Sequence, residues 1–312
     1  MKHIFIINPA AGKEDSTKAI KELLENADLG IDYELYPTKY AGDGTRFIKE
    51  TLSETNEEIR FYSCGGDGTL NEVVNGVIGF SNASITVFPC GSGNDYIKYY
   101  GTSKDFSDIK ELVTAENHSV DVLKMGDKYS INAIGFGIDG CVLKNMFKAK
   151  RKPIIGKNAY TFGVAMAFLF GMKTNAQVFA DGEEIGGKKI LLATFCNGSH
   201  VGGSYKTAPL TDNSDGLMEV CVINPISRLN FLRLMNTYKE GLHLEDKRFR
   251  KYINYKRAKS VRIISDKKIP CSVDGELIFS NDSTIEIIPE AVNFAVPKAV
   301  FEKKGIKIKN NA

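Results

Sequence analysis

The stretch that decides the fold is IRFYSCGGDGTLNEVVNGVI, residues 59–78. Ile59 to Ser63 is a short run of strand-forming residues, Cys64 to Thr69 carries three glycines, and 68–78 has helical spacing. A strand running through a glycine turn into a helix is half of a βαβ unit. Reading outward, 3–7 (HIFII), 31–36 (IDYELY) and 84–88 (SITVF) are strand-like. Residues 16–27 place Ala19, Ile20, Leu23, Leu24 and Ala27 on one helical face, and 43–53 are also helical. Strands and helices alternating at this pitch predict a parallel sheet covered by helices. Ligands of such sheets bind where the strands end and the glycine turns begin.

After about residue 121 the texture changes. Stretches 119–124, 128–135, 175–181, 188–196, 218–223, 259–264, 269–273, 277–280, 284–288 and 292–296 are strand-like. Helical stretches near 140–149, 158–172 and 227–240 interrupt them. Asp181-Gly182 and Asp274-Gly275 have the composition of tight hairpin turns. The expected organisation is an α/β N-terminal domain with a parallel sheet over 1–122 and a mainly antiparallel β C-terminal domain over 123–297.

Composition sets the bounds. A chain of 312 residues suits two domains at roughly 150 residues each. With 43% hydrophobic and 25% charged residues it is ordinary globular composition, which excludes a disordered or collagen-like chain. The net charge of +3 is too small to require nucleic acid as a partner. Basic and aromatic residues mix in 247–256 (KRFRKYINYK), but a solvated strand and loop account for that. No two of the six cysteines lie within four residues, so neither a zinc ribbon nor a CxxC is encoded, and the four histidines form no HExxH. These features suit a reduced, cytoplasmic protein with free thiols and no secretory signal. The longest apolar stretch, Phe162–Met172, is about half the ~20 residues a membrane-spanning helix needs.

Three glycine-rich turns carry the chemistry. In Gly65-Gly66-Asp67-Gly68-Thr69 the glycines let backbone approach a ligand, and the helix that follows offers unpaired N–H groups to a phosphate. A carboxylate there repels phosphate unless screened, so Asp67 points to a metal ion between the two. Alone, the segment also reads as a plain strand-to-helix turn with Asp67 as N-cap. Asn8-Pro9-Ala10-Ala11-Gly12-Lys13 combines small residues with a lysine suited to phosphate, without Walker spacing. Pro89-Cys90-Gly91-Ser92-Gly93-Asn94-Asp95 is the third turn. All three follow strands of one parallel sheet and should gather on its carboxyl edge.

NPAAGK (8–13), GGDGTLNEVVNG (65–76) and PCGSGND (89–95) together resemble the catalytic domain of the diacylglycerol kinase and sphingosine kinase superfamily, above all its soluble bacterial diacylglycerol kinase branch. TAPLTDNSDGL (207–217) and CSVDGE (271–276) resemble that branch's metal loop and acid–base segment, so the likeness covers nearly the whole chain. GGDGT by itself is shared with NAD kinases. The resemblance implies an NAD kinase/diacylglycerol kinase-like fold, with 298–312 returning to complete the first domain and ATP bound between the two.

The resemblance places the nucleotide contacts on Asn8, Thr38, the run Gly65, Gly66, Asp67, Gly68, Thr69, Asn71 and Glu72, and Ser92, which stands where threonine is commoner. Lys13 and Asp95 complete the candidate ATP set. A structural Mg²⁺ is implied on Asp212, Asp215 and the backbone of Leu217; alone, that loop also reads as an Asx-type turn. In Asp274-Gly275-Glu276, Glu276 is the favoured proton acceptor and Asp274 orients it or helps the metal network, the reverse being nearly as good.

The implied activity is transfer of the γ-phosphoryl group of ATP to a lipid hydroxyl, diacylglycerol first, then phosphatidylglycerol or a sphingoid base. NAD kinase and a non-catalytic nucleotide- or lipid-binding regulator are the competing readings. Residues 144–157 hold six basic residues and no acidic one, and 247–268 hold ten against Asp266 alone. Each surface Lys or Arg is worth about 1 kcal/mol toward an anionic bilayer. With the apolar stretch 158–172, this predicts peripheral membrane contact, although related enzymes carry a lysine within that helix and this one has none. Lys152 or Lys157 is the candidate substitute, and Lys13 is a further candidate contact to lipid headgroups. An exposed edge strand in the β domain offers a route to a homodimer.

Overall fold

The computed structural model describes residues 1–12, 14–91, 93–150 and 158–305. The chain divides into two units, one comprising 1–122 with the chain from 289 onward, the other 123–288.

The first unit opens with β1 (Lys2–Ile7), α1 (Thr17–Ala27), β2 (Tyr33–Pro37), α2 (Asp43–Glu54), β3 (Ile59–Gly65), α3 (Asp67–Val77) and β4 (Ala83–Pro89), followed by α4 (Ile109–Val113) and the start of β5 (Glu116–Met125). Strand order β2-β1-β3-β4 is parallel throughout. Ile4 to Ile7 and Ile59 to Gly65 are buried on both faces, which is why these strands read as continuous apolar runs. The register pairs Ile7 with Cys64 and Gly65 with Pro89, so β1, β3 and β4 end level with one another. Behind them α2 and α3 pack tightly: a Cβ on Gly76 would meet Ile48 Cβ at 2.8 Å.

The second unit contains β6 (Lys128–Ser130), β7 (Ala133–Gly137), α5 (Ile138–Lys150), α6 (Ala159–Phe170), β8 (Thr174–Asn175), β9 (Gln177–Ala180), β10 (Glu183–Ile185), β11 (Lys189–Ile190), β12 (Leu192–Cys196), β13 (Met218–Ile223), α7 (Arg228–Lys239), β14 (Ile253–Ala258), β15 (Ser260–Val273) and most of β16 (Glu276–Val296). Its main sheet runs β14-β13-β12-β7-β15-β16, all neighbours antiparallel. One face buries Ile134, Phe136, Phe195, Val220, Val222 and Val273 in a single apolar cluster. The mixed outcome, parallel first unit and antiparallel second, is the expected fold class.

Two details differ from the sequence reading. The segments 259–264 and 269–273 form one strand, and 277–280, 284–288 and 292–296 form another of 21 residues. The polar interruptions are absorbed by a register shift between Ile264 and Ile269, and by Glu290, whose φ of +50° is stabilised by its N–H donating to Asp121 Oδ1 at 2.8 Å. The chain rejoins the first unit at 289 rather than 298, because Asn293 and Phe294 pair in parallel with Ser84 and Ile85 of β4. Then α8 (Lys298–Lys304) follows, with Phe301 against His118. No helix among the described residues is long and apolar enough to cross a membrane.

Candidate active site

Because β1, β3 and β4 end level, the loops leaving them lie side by side, and backbone bonds join them. Asn8 N–H donates to Cys64 O at 3.0 Å, while Cys90 and Gly91 N–H both donate to Gly65 O at 3.0 and 2.9 Å. Glycine is required at these crossings. A Cβ on Gly91 would sit 2.4 Å from Gly66 Cα, and one on Gly12 would sit 2.6 Å from Cys90 O. Lys13 and Ser92 lie outside the described residues.

Asp67 opens α3, but Gly66 is the N-cap and no side chain caps the helix. The Asp67 carboxylate instead reaches the third loop, where Oδ1 accepts the Asp95 N–H at 2.5 Å. Asp95 itself is ion-paired with Lys98 at 2.6 Å. Beside Asp67, Leu70, Val87, Tyr96 and Ile97 line a narrow crevice. Gly68 has open space around it, with nothing within 4 Å of an added Cβ. Thr69 Oγ1 accepts from Asn8 Nδ2 at 3.3 Å, tying the first loop to the second.

The other implied nucleotide residues are engaged within the protein. Thr38 N–H donates to Ile7 O at 2.8 Å, extending the β1–β2 ladder. Asn71 is buried, its carbonyl accepting from Asn75 Nδ2. Glu72 Oε1 and Oε2 accept the N–H groups of Gly42 and Gly44 at 2.8 and 3.0 Å, so this carboxylate satisfies the N-terminus of α2.

The remaining candidates belong to the second unit. In 212–217 each aspartate forms an Asx turn: Asp212 Oδ1 accepts Ser214 N–H at 3.1 Å, and Asp215 Oδ1 accepts Leu217 N–H at 3.0 Å. Asp215 Oδ2 is paired with the Arg257 guanidinium, whose Nε lies 2.9 Å from Glu219 Oε1. Neither Glu219 oxygen has a hydrogen bond of good geometry. Burial pushes its carboxyl up to about 7, with Arg257 opposing and Asp215 adding to the rise. Two carboxylates and the Leu217 carbonyl are hard oxygen donors of the kind Mg²⁺ takes alongside water. They fit in kind, with Arg257 as a cation already on Asp215. No cluster of three or more His, Cys, Asp or Glu side chains suited to a metal occurs among the described residues.

At the β15–β16 turn Asp274 and Gly275 have φ of +44° and +87°, the two-residue hairpin geometry that Asp-Gly favours. Asp274 accepts three hydrogen bonds, from Ser130 Oγ at 2.6 Å, Ala133 N–H at 2.8 Å and Ile131 N–H at 2.9 Å. Its carboxylate therefore holds the 130–133 segment. Glu276, two residues on, is exposed, with Lys128 Nζ at 3.3 Å. Arg257, Glu219, Lys128 and Ser130 were not singled out by the sequence. Arg257 was one of ten basic residues in its stretch, and nothing local marks it as Asp215's partner 42 positions away.

Comparison with known proteins adds to this geometry. Residues 2–125 match the model of the diacylglycerol kinase catalytic domain, and 132–296 match that of the YegS C-terminal NAD kinase beta sandwich-like domain. The diacylglycerol kinase of Bacillus subtilis (strain 168) is 28% identical over 277 residues, 87% of this chain and 88% of its own. The diacylglycerol kinase of Staphylococcus carnosus (strain TM300) is 30% identical over 278 residues, 87% of each. A diacylglycerol kinase crystal structure from Bacillus anthracis str. Sterne superposes with a TM-score of 0.74 at 22% identity, over 96% of this chain and 98% of that one, and so shares its fold.

Proposed function

We propose, on the premise that this chain belongs to the diacylglycerol kinase family and is a lipid kinase, that its acceptor is the free hydroxyl of diacylglycerol and its product phosphatidic acid. The observation that carries this choice is the likeness, across nearly the whole chain, to two proteins named diacylglycerol kinase.

In this reading the first unit holds ATP. Phosphoryl transfer needs positioning and charge screening more than covalent chemistry. Backbone amides of the glycine loops that are not already bonded within or between those loops supply donors, and Lys13 adds a cation. Mg²⁺, when bound, screens the phosphate charge; Asp67 would hold it at the nucleotide, and Asp212, Asp215 and the Leu217 carbonyl would hold a structural ion. Glu276 takes the hydroxyl proton, and Asp274 positions it by fixing the turn and the 130–133 segment. An exposed carboxylate two residues from a fully hydrogen-bonded one supports that division of roles.

The test is a labelled-ATP assay with magnesium across diacylglycerol, phosphatidylglycerol, sphingosine and NAD. Label should enter diacylglycerol, and Asp67→Asn should lower that turnover about a hundredfold or more while the variant stays folded. Preferential labelling of another acceptor would displace diacylglycerol as the substrate. Near-normal turnover of the variant would remove Asp67 from the reaction.

A further inference from the structure

We infer, resting on the reading of 212–217 as a divalent-cation loop, that Arg257 is an exchangeable counter-ion of that loop: it sits on Asp215 until a divalent cation takes that carboxylate, and is then handed to the buried Glu219. Strand alternation sets up the meeting. β13 and β14 run antiparallel with Glu219 directly opposite Arg257. Side chains alternate between faces, so Lys256 falls on the other side, and Glu183 holds it at 2.6 Å. A glutamate is unusual on this face of β13, because Cys221 and Ile223, which share it, are buried in an apolar cluster. Glu219 itself is only 1% exposed. On its other flank β12 places Cys196, a thiol 3.6 Å from Thr207 Oγ1. Among the described residues Arg257 is the one cation in ion-pair contact with Glu219, its Nε lying 2.9 Å from Oε1. A carboxylate out of water is stable only when it is paired and hydrogen-bonded.

The guanidinium is shared, however. Its Nη2 donates to Asp215 Oδ2, while Asp215 Oδ1 accepts Leu217 N–H. A divalent ion arriving at Asp215 meets the positive charge of Arg257 at close range. Arg257 has a second place to go. Neither Glu219 oxygen has a hydrogen bond of good geometry, and a guanidinium is a planar fork of donors that matches a carboxylate in bidentate fashion. The Arg257 side chain is 37% exposed and has room to turn. The two backbones are already neighbours in the ladder, so the exchange needs only side-chain torsions. Cation and guanidinium thus oppose each other at Asp215, and by linkage each weakens the other by the same factor. Glu219 favours the cation by drawing Arg257 away. It is a positioning residue that acts through Arg257.

The experiment titrates the full chain, free of nucleotide and lipid, with Mn²⁺, a hard ion of the same class as Mg²⁺, and reads the free ion by electron paramagnetic resonance. Asp212→Asn should lose the binding, which places the ion on the loop. Arg257→Met should tighten binding about tenfold and Glu219→Gln should weaken it about fivefold. In the Arg257→Met background Glu219→Gln should change it by less than about twofold, because its effect runs through Arg257. If Arg257→Met does not fold with Glu219 left unpaired, the double variant, which removes both charges, is compared with Glu219→Gln and should bind about tenfold more tightly. Unchanged or weaker binding in either comparison overturns the exchange. An equal loss from Glu219→Gln with and without Arg257 also overturns it, since Glu219 then acts by its own field. Binding that Asp212→Asn leaves intact, or no binding by wild type and Arg257→Met alike, removes the cation reading of the loop and the exchange with it. The lipid-kinase reading stands or falls separately, on the labelled-ATP assay.

Discussion

Replacing Gly91 by alanine tests whether the glycine loops are held by backbone packing. The new Cβ would lie 2.4 Å from Gly66 Cα and 2.9 Å from Gly66 N. Both are backbone atoms, so no rotamer change relieves the overlap. Ordinary contact begins at 3.4 Å, so the loops must separate by about 1 Å. That separation strains the bonds of Cys90 and Gly91 to Gly65 O and the 2.5 Å bond from Asp95 N–H to Asp67. Overpacking of this kind costs about 1–3 kcal/mol, a fall in melting temperature of about 2–5 °C for a chain of this size. A shift of ~1 Å at a phosphate-positioning loop should also lower kcat/KM for ATP by about a hundredfold. Gly68→Ala is the control. It makes the same chemical change in the same motif, yet its Cβ meets nothing within 4 Å, and in the first turn of α3 it should stabilise slightly by helix propensity. Thermal melts and steady-state ATP kinetics on both variants decide the matter. Wild-type stability and kinetics for Gly91→Ala, or an equal melting loss in Gly68→Ala, would refute the reasoning.

Asp274→Asn and Glu276→Gln should separate cleanly. The first removes charge from an acceptor of three hydrogen bonds and should cost about 1–3 kcal/mol of stability; the second should keep the melting temperature and lose turnover, and equal melting losses would contradict the division of roles. His243 gives a pH signature. Burial holds its imidazole near 4 against the usual 6.5, so the unfolded chain takes up a proton that the folded chain refuses. Its contribution to stability is present above pH 6.5 and disappears as pH falls toward 4, on the order of 3 kcal/mol. His243→Phe, against Tyr238 and Phe249, should flatten that part of the urea-midpoint profile between pH 7 and 4.5; an unchanged slope would show that this ring does not titrate. His3, also held near 4 by burial and then by Arg60, supplies a similar slope that the variant retains.

Local pattern determined a good deal of this protein. Five-residue apolar runs followed by glycine turns and 3.6-period helices specify parallel βαβ units, and the order of GGDGT, DNSDGL and DGE carries the family, because such turns are short-range chemistry written in consecutive residues. What those residues do inside the fold was decided by tertiary structure. Glu72 lies in the nucleotide motif, yet its carboxylate satisfies Gly42 and Gly44. Asp274 and Glu276 look alike in sequence, and only the approach of 130–133 engages one and leaves the other exposed. Three apparent breaks between strands after residue 259 vanish into two long strands, since a partner strand satisfies backbone groups that composition assigns to turns. Four of the ten basic residues in 247–268 find acids, one of them 73 positions away. Pairings across such separations leave no trace in local spacing. They depend on which strands are neighbours, and that is settled only when the chain has folded.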